Sequence, residues 1–509
     1  MSRYSLNTSG VTNIGGSIGR PSDIRYVAPD ASGTASNGKT VLTLDQAVDN
    51  LTRTGGQWNL NGAQTITYSF LEKTPGGQYK NPHETYLAGI VSNFTPFTED
   101  QRDAARASIQ LWDDLIAPSF KEINGRGADI VFMNTGDGGP GQAAAFIPSN
   151  GGKYGKINGD VYVNAEQDDN FDLYYGGYGQ TTLTHEIGHA IGLSHTGDYN
   201  ASDDDNGDGI PDPITYANDA EFFQDTYQFS IMSYFSHANS GARGYVNWAT
   251  GGYYQTPQTP MIHDIAAVQA LYGADLTTRT GDTTYGFNAT KALQGGVYDF
   301  TVNKNPFLSI YDAGGNNDTL DLSGFVAPST LDLRPGAFST AYTYGDAAKL
   351  NGTWGTNFSQ ATWNLIYDGK TSNPGFLTEN IGIAYNTIIE NGRTGSGNDI
   401  LLGNDVANKL DAGAGDDILN GGKGNDTLTG GAGRDTFVFA NDGSTDTITD
   451  FLTGVDKIDL SGLSNVAAAN VSYNATTRQV QVDTNHDGVA DLFINSASAV
   501  NNGDYIFHG

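Results

Sequence analysis

Five nonapeptides stand in register between Thr394 and Val438, on the template Gly-Gly-x-Gly-x-Asp-x-U-x with U apolar. A repeat this short cannot bury its own apolar face, so it is stable only when stacked on copies of itself. The sixth position is filled by Asp399, Asn408, Asp417, Asp426 and Asp435, and the eighth by Leu401, Leu410, Leu419, Leu428 and Phe437. The apolar position points inward and builds the stacked core. The aspartates and the turn carbonyls are hard oxygen donors of the kind calcium takes. Gly395, Gly397, Gly413, Gly415, Gly422 and Gly424 allow the unusual dihedrals and the close approach to an ion. The pattern therefore predicts a parallel β-roll folded around several Ca2+ ions. The second repeat, 403–411, departs most from the template. A flexible Gly/Asp linker is the bland alternative, and the strict nine-residue spacing speaks against it.

A second motif lies upstream. His185, Glu186, His189, Gly192 and His195 form HExxHxxGxxH. On a helix, residues four apart share a face, so His185 and His189 can reach one ion. Glu186 sits beside that ion and can hold a water. Gly192 lets the helix end sharply and the chain return, making His195 the third ligand. Three nitrogens leave one position open, which marks one catalytic Zn2+ rather than a closed structural site. A lone HExxH is weak, but three of the eight His fall within these eleven residues. Met232 follows in Ser230-Ile231-Met232-Ser233-Tyr234. Alone it reads as an ordinary core methionine. After a third His it reads as a Met-turn beneath the metal, with Tyr234 placed to reach it.

The order of zinc site, Met-turn and glycine-aspartate nonapeptides resembles serralysin, a secreted bacterial zinc endopeptidase of the metzincin class with a repeats-in-toxin domain. The resemblance runs from about Lys39 to the C-terminus. It implies an α+β catalytic domain followed by an all-β parallel β-roll and β-sandwich domain, with a propeptide over 1–38, the protease over 39–273 and the roll over 274–509. It implies that Tyr234 is a fifth zinc ligand that swings off to bind the oxyanion. It implies that Ala143, Ala144, Ala145 and Phe146 belong to an edge strand receiving the substrate. It also implies a junction calcium site on Arg279, Gly281, Thr283, Asp312, Gly314 and Asp318. Export would use a type I exporter that reads the C-terminal segment, giving an extracellular, monomeric enzyme acting on proteins and peptides.

Two further loops have calcium-like openings: Asp204, Asn206, Asp208 and Asp212, and Asp483, Asn485, Asp487 and Asp491. Calcium loops and solvated turns remain equal alternatives for both. The formal net charge of −31 makes nucleic acid and anionic membrane poor partners. The first residues carry no apolar h-region, and no run is long enough to span a bilayer. Cys is absent, which removes disulfides. Residues 1–38 are rich in Gly, Ser, Thr and Asn and read as flexible. Capping boxes open helices after Thr43 and Thr98, strands are expected at 65–70, 128–133 and 142–148, and helices at 181–193 and 260–272. Two other readings compete: an astacin-like metzincin, and a calcium-dependent adhesive or surface-layer protein with a vestigial protease domain.

Overall fold

The computed structural model describes residues 26–60, 62, 64–75, 93–125, 127–136, 140–149, 157–199, 212–242, 246–247, 252–253, 256–341, 359 and 378–508. Helix α1 (Leu44–Leu51) starts where expected. Thr43 accepts from the Gln46 backbone while the Gln46 side chain accepts from the Thr43 backbone. Leu44, Ala47, Val48 and Leu51 form its buried face. Strand β1 (Thr65–Phe70) precedes helix α2 (Glu99–Asp113), whose Thr98 cap has the same reciprocal form.

Strands β2 (Ser119–Glu122), β3 (Ile130–Thr135), β4 (Ala143–Ala145) and β5 (Val161–Asn164) complete a five-stranded sheet in the order β2-β1-β3-β5-β4. All neighbours are parallel except β4, which pairs antiparallel with β5 and leaves its outer edge open. The pattern of β3 expected at 128–133 sits two residues later because every residue of 130–135 is buried, whereas Asp129 bonds Thr67 on β1. Helix α3 (Tyr178–Ala190) packs between α2 and β4, and helix α4 (Ile262–Tyr272) ends at Gly273, whose φ of 80° stops it. Trp112 and Met232, both fully buried, pack in the core beneath α3.

After α4 the chain builds two large sheets and a small one of Leu308–Ile310, Ile381–Ile383 and Phe338–Ser339. One joins Thr284–Gly286, Thr319–Asp321, Asn391–Arg393, Lys409–Asp411, Thr427–Thr429, Thr445–Ile448 and Leu492–Ser496 in parallel, then Gln479–Val482 and Val471–Asn474 antiparallel. The other stacks Thr330–Asp332, Ile400–Leu402, Ile418–Asn420, Thr436–Val438, Lys457–Asp459 and Tyr505–Ile506. Leu401 pairs with Leu419 and Leu410 with Leu428, so alternate nonapeptides serve opposite sheets. The five apolar positions, Leu401, Leu410, Leu419, Leu428 and Phe437, are fully buried between them. This is the expected mixed α/β body followed by a parallel β-roll.

One expectation needs correction. The flexible segment assigned to 1–38 contains placed chain from Tyr26 onward. Gly33–Thr34 pairs antiparallel with Thr40–Val41, and the Arg334 guanidinium lies 4.4 Å from the Tyr26 ring centroid. The polar composition of the stretch hid the short hairpin, and the partner of Tyr26 is about three hundred residues away. Residues 1–25 lie outside the described residues.

Candidate metal centre

Helix α3 presents His185 and His189 one turn apart, and the chain turns at Gly192 to bring His195 back. Gly192 has φ of 118°, and a Cβ there would meet the Gly56 carbonyl oxygen at 2.2 Å. No other residue fits. The His185 and His189 Nε2 atoms lie 3.1 Å apart, and those of His189 and His195 3.0 Å apart. Each ring fixes its other nitrogen on a backbone carbonyl: His185 Nδ1 on Ile231 (2.8 Å), His189 Nδ1 on Leu193 (2.7 Å) and His195 Nδ1 on Tyr199 (3.2 Å). A neutral imidazole that donates from Nδ1 has a bare lone pair at Nε2. Three such lone pairs facing one another repel unless they share a cation. Burial also pushes His185 down to about 4 and His195 to about 3, with His189 well below its usual range, so all three are neutral ligands near pH 7. The donor set fits Zn2+ with an open position.

Glu186 is buried, and its Oε2 has no hydrogen-bond partner. Burial raises its carboxyl to about 8 when no cation lies beside it. A cation on the three nitrogens would lower it again. The Tyr234 ring lies 4.5 Å from that of His195 and 6.0 Å from that of His185. These groups face a cleft of about 440 Å3 also lined by Ala143, Ala144 and Ala145 of β4. Phe146 is not in it: its ring packs edge-on against Tyr162 behind the sheet, and its backbone bonds Asp160 and Gly159. Ile147 lines the cleft instead.

Several groups that set the geometry carried no sequence signal. Asp264 on α4 accepts from Ser230 Oγ (2.5 Å), Ile231 N (2.6 Å) and Met261 N (2.8 Å), pinning the turn that carries Met232 and the Ile231 carbonyl. Burial raises its carboxyl to about 7 against those bonds. Asp225 accepts from Thr196 Oγ1, Tyr199 Oη (2.8 Å) and Ser233 Oγ (2.7 Å), tying the His195 loop to the Tyr234 turn. Arg53, at the end of α1, donates to the His195 and Gly197 carbonyls. Gly188 is required beneath the site, since a Cβ there would stand 2.7 Å from Met232 Sδ and 3.2 Å from Trp112 Cζ2.

In the roll the aspartates stack. Asp399 Oδ1 accepts from Ser329 N, Asp417 Oδ1 from Asp399 N, Asp435 Oδ1 from Asp417 N and Asp456 Oδ1 from Asp435 N. On the other side Asp426 Oδ1 accepts from Asn408 N, and Asp446 Oδ1 from Asp426 N. The second oxygens of Asp399, Asp417 and Asp426 are buried and unpartnered. A buried charge in that state is costly without a cation. Asn408 sits in the degenerate repeat and bonds Asn404 and Glu390 instead of leaving a free oxygen. Asp446 and Asp456 continue the stacks beyond the repeat that the sequence shows.

At the junction, Thr283 N donates to Asp318 Oδ1 (2.7 Å) and Thr283 Oγ1 to the Gly281 carbonyl, while Asp318 Oδ2 is buried and unpartnered. Asp312 accepts from Gly314 N and Tyr285 Oη. Arg279 pairs with Asp114 of the α2 end (2.7 Å). Asp204, Asn206 and Asp208 lie outside the described residues, and Asp212 stands at their edge. In the loop at 483–491, Asp483 accepts from Asp487 N and Gly488 N, Asn485 from Asp487 N, and Asp491 from Thr484 N.

A three-histidine centre with a buried glutamate, closed below by a methionine turn and followed by a β-roll, defines a zinc metalloendopeptidase of the metzincin type. The C-terminal part matches the family model described as Peptidase M10 serralysin C terminal over residues 274–346 and 354–508. Metalloprotease AprA of Pseudomonas entomophila is 36% identical over 473 residues, covering 91% of this chain and 85% of its own. Serralysin B and Serralysin G of Dickeya chrysanthemi are each 37% identical, covering 91% and 84% of this chain and 87% and 79% of theirs. The chain belongs to the serralysin family. The adhesive and astacin-like alternatives are not favoured.

Proposed function

We propose that the cleft hydrolyses internal peptide bonds of unfolded or loosely folded extracellular proteins, with His185, His189 and His195 holding Zn2+. The convergence of three bare Nε2 atoms beside the unpartnered Glu186 Oε2 carries this reading. Zinc, when bound, supplies Lewis acidity that acidifies water and polarises a carbonyl. The open edge of β4 binds an extended peptide by strand addition, with Ala143, Ala144 and Ala145 too small to obstruct it. Glu186 takes the proton of the attacking water at its free oxygen and delivers it to the leaving amine. Tyr234 would be a further ligand of that ion in the resting enzyme and a hydroxyl donor to the oxyanion.

The remaining assignments belong to the same proposal. The protease spans 39–273 and the roll 274–509, a division supported by the change of architecture after α4. Calcium occupies the roll between the stacked aspartates and the junction around Asp312 and Asp318. Any propeptide lies in the N-terminal segment, 1–38. The protein is secreted as a monomer by a type I exporter reading the C-terminal segment. In the structure this segment is packed, with Asp504 bonded to Thr453 and Gly454. No helix among the described residues is long and apolar enough to cross a membrane.

Glu186→Ala tests the reading. Turnover of casein should fall by about 10³-fold, the middle of the range for a lost general base. Zinc content should remain one per chain. Retained activity within tenfold of wild type would overturn the assignment.

A further inference from the structure

Every exposed aromatic residue among the large exposed hydrophobics of the described chain lies within one short stretch: Phe171, Tyr174, Tyr175 and Tyr178, between 36% and 63% exposed. An apolar cluster held open to water marks a binding surface more often than an accident of composition. We propose that this aromatic patch is an outer subsite that captures apolar side chains of the same polypeptide that occupies the cleft, several residues from the bond being cut. The inference rests on the reading of the cleft as a peptide-binding cleft.

The patch is continuous with that cleft in two ways. Gln142, immediately before β4, bonds Asn170 through its side chain and accepts from Asn170 Nδ2 at 3.0 Å through its carbonyl. Phe171 is the next residue, so the patch begins beside the start of β4. Tyr178 is the first residue of α3, the helix that carries His185 and His189 into the cleft. At the opposite end of the cleft, Gly56 closes on Ile147 and Gly192 together. Tyr178 precedes His185 by about 10 Å of helix. That distance is about three residues of extended peptide, which places the contacts roughly three to six residues from the scissile bond.

The backbone that carries the rings is fixed before any substrate arrives. Leu173 N bonds the Phe171 carbonyl (2.9 Å), Gly177 N that of Tyr174 (2.8 Å) and Gln180 N that of Asp172 (3.2 Å). Gly177 has no room for a side chain, since a Cβ would stand 2.3 Å from the Asp172 carbonyl oxygen. Rigid aromatic rings lose little entropy on contact, which suits capture of unfolded chains of varied sequence.

Three internally quenched peptides test this: a short core, the same core flanked on both sides by Phe and Leu, and the core flanked by Ser and Gly. The wild type should cut the apolar-flanked peptide with kcat/KM about tenfold above the Ser/Gly-flanked one, mostly through KM. Phe171→Ser/Tyr174→Ser, with unchanged zinc content and melting temperature, should erase that difference and cut the short core as before. Tyr174→Ser alone, at the most exposed position, should erase part of it and guards against misfolding of the double variant. Equal cleavage of both flanked peptides by the wild type, a difference that survives in both variants, or an equal loss on the short core would overturn the proposal. So would a wild-type dimer in light scattering that the double variant dissolves, because the patch would then serve a second copy. Wild type that cuts none of the three would overturn the proteolytic reading itself.

Discussion

The two halves of the molecule arrange metal donors in opposite ways. In the catalytic half the donors are neutral nitrogens, each already fixed by a backbone carbonyl and seated on a core of α2, α3 and β5. Removing an ion from them leaves no buried charge and no loss of packing. In the roll the donors are carboxylates such as Asp399, Asp417 and Asp426, buried with unpartnered oxygens between short three-residue strands. An ion bound there would be part of the fold. The comparison teaches that a site's protonation chemistry, rather than its number of ligands, decides whether a metal serves reaction or structure.

The sharpest way to break this contrast is selective chelation. EGTA should melt the roll, read as lost strand signal in circular dichroism, while phenanthroline should stop catalysis and leave the spectrum intact. An unchanged spectrum and melting temperature in EGTA would end the case for a calcium-built roll. Tyr234→Phe should come next in size. It should lower kcat by about 10²-fold with little change in KM, since its bond is made mainly in the transition state. A rise in KM alone would make Tyr234 a substrate contact.

Leu419→Ala should cost the roll about 2–5 kcal/mol, because Leu419 is fully buried between Leu401 and Phe437. Calorimetry in saturating calcium should show the roll transition shifted, with peptide turnover unchanged at temperatures where the roll stays folded. A parallel loss of activity there would mean that the halves are not independent.

The smallest effect concerns pH in the chelated protein. Burial first, and neighbouring carboxylates second, raise Asp417 to about 7 and Asp435 to about 6 from the ordinary 3.8; burial opposed by hydrogen bonds, with Asp442 and Asp446 adding, does the same for Asp426 and Asp446, to about 7 and about 6. Raised carboxyls favour the folded state when protonated. Without calcium that stability is fully present below about pH 4 and is lost as pH rises through 6 to 7. With calcium the dependence reverses, because the ligands must be ionised. Melting curves at pH 4.5 and 8, with EGTA and with calcium, should therefore cross.

Much was legible because it is local. The capping boxes at Thr43 and Thr98 set helix starts through contacts three residues apart. The spacing of His185, His189, Gly192 and His195 fixes three ligands through one helix and one turn. The nine-residue period fixes which side chains enter the roll core. Each rule links residues a few positions apart, where chain geometry leaves few choices. What only the tertiary structure decided lies across long separations. Asp264 and Asp225 clamp the Met-turn, and the Ile231 and Tyr199 carbonyls choose the histidine tautomers. Phe146 turns away from the cleft that Ile147 enters, and Tyr26 finds Arg334. These partners have no fixed spacing, and their pairing depends on burial and on the direction of distant chain, so no period in the sequence encodes them.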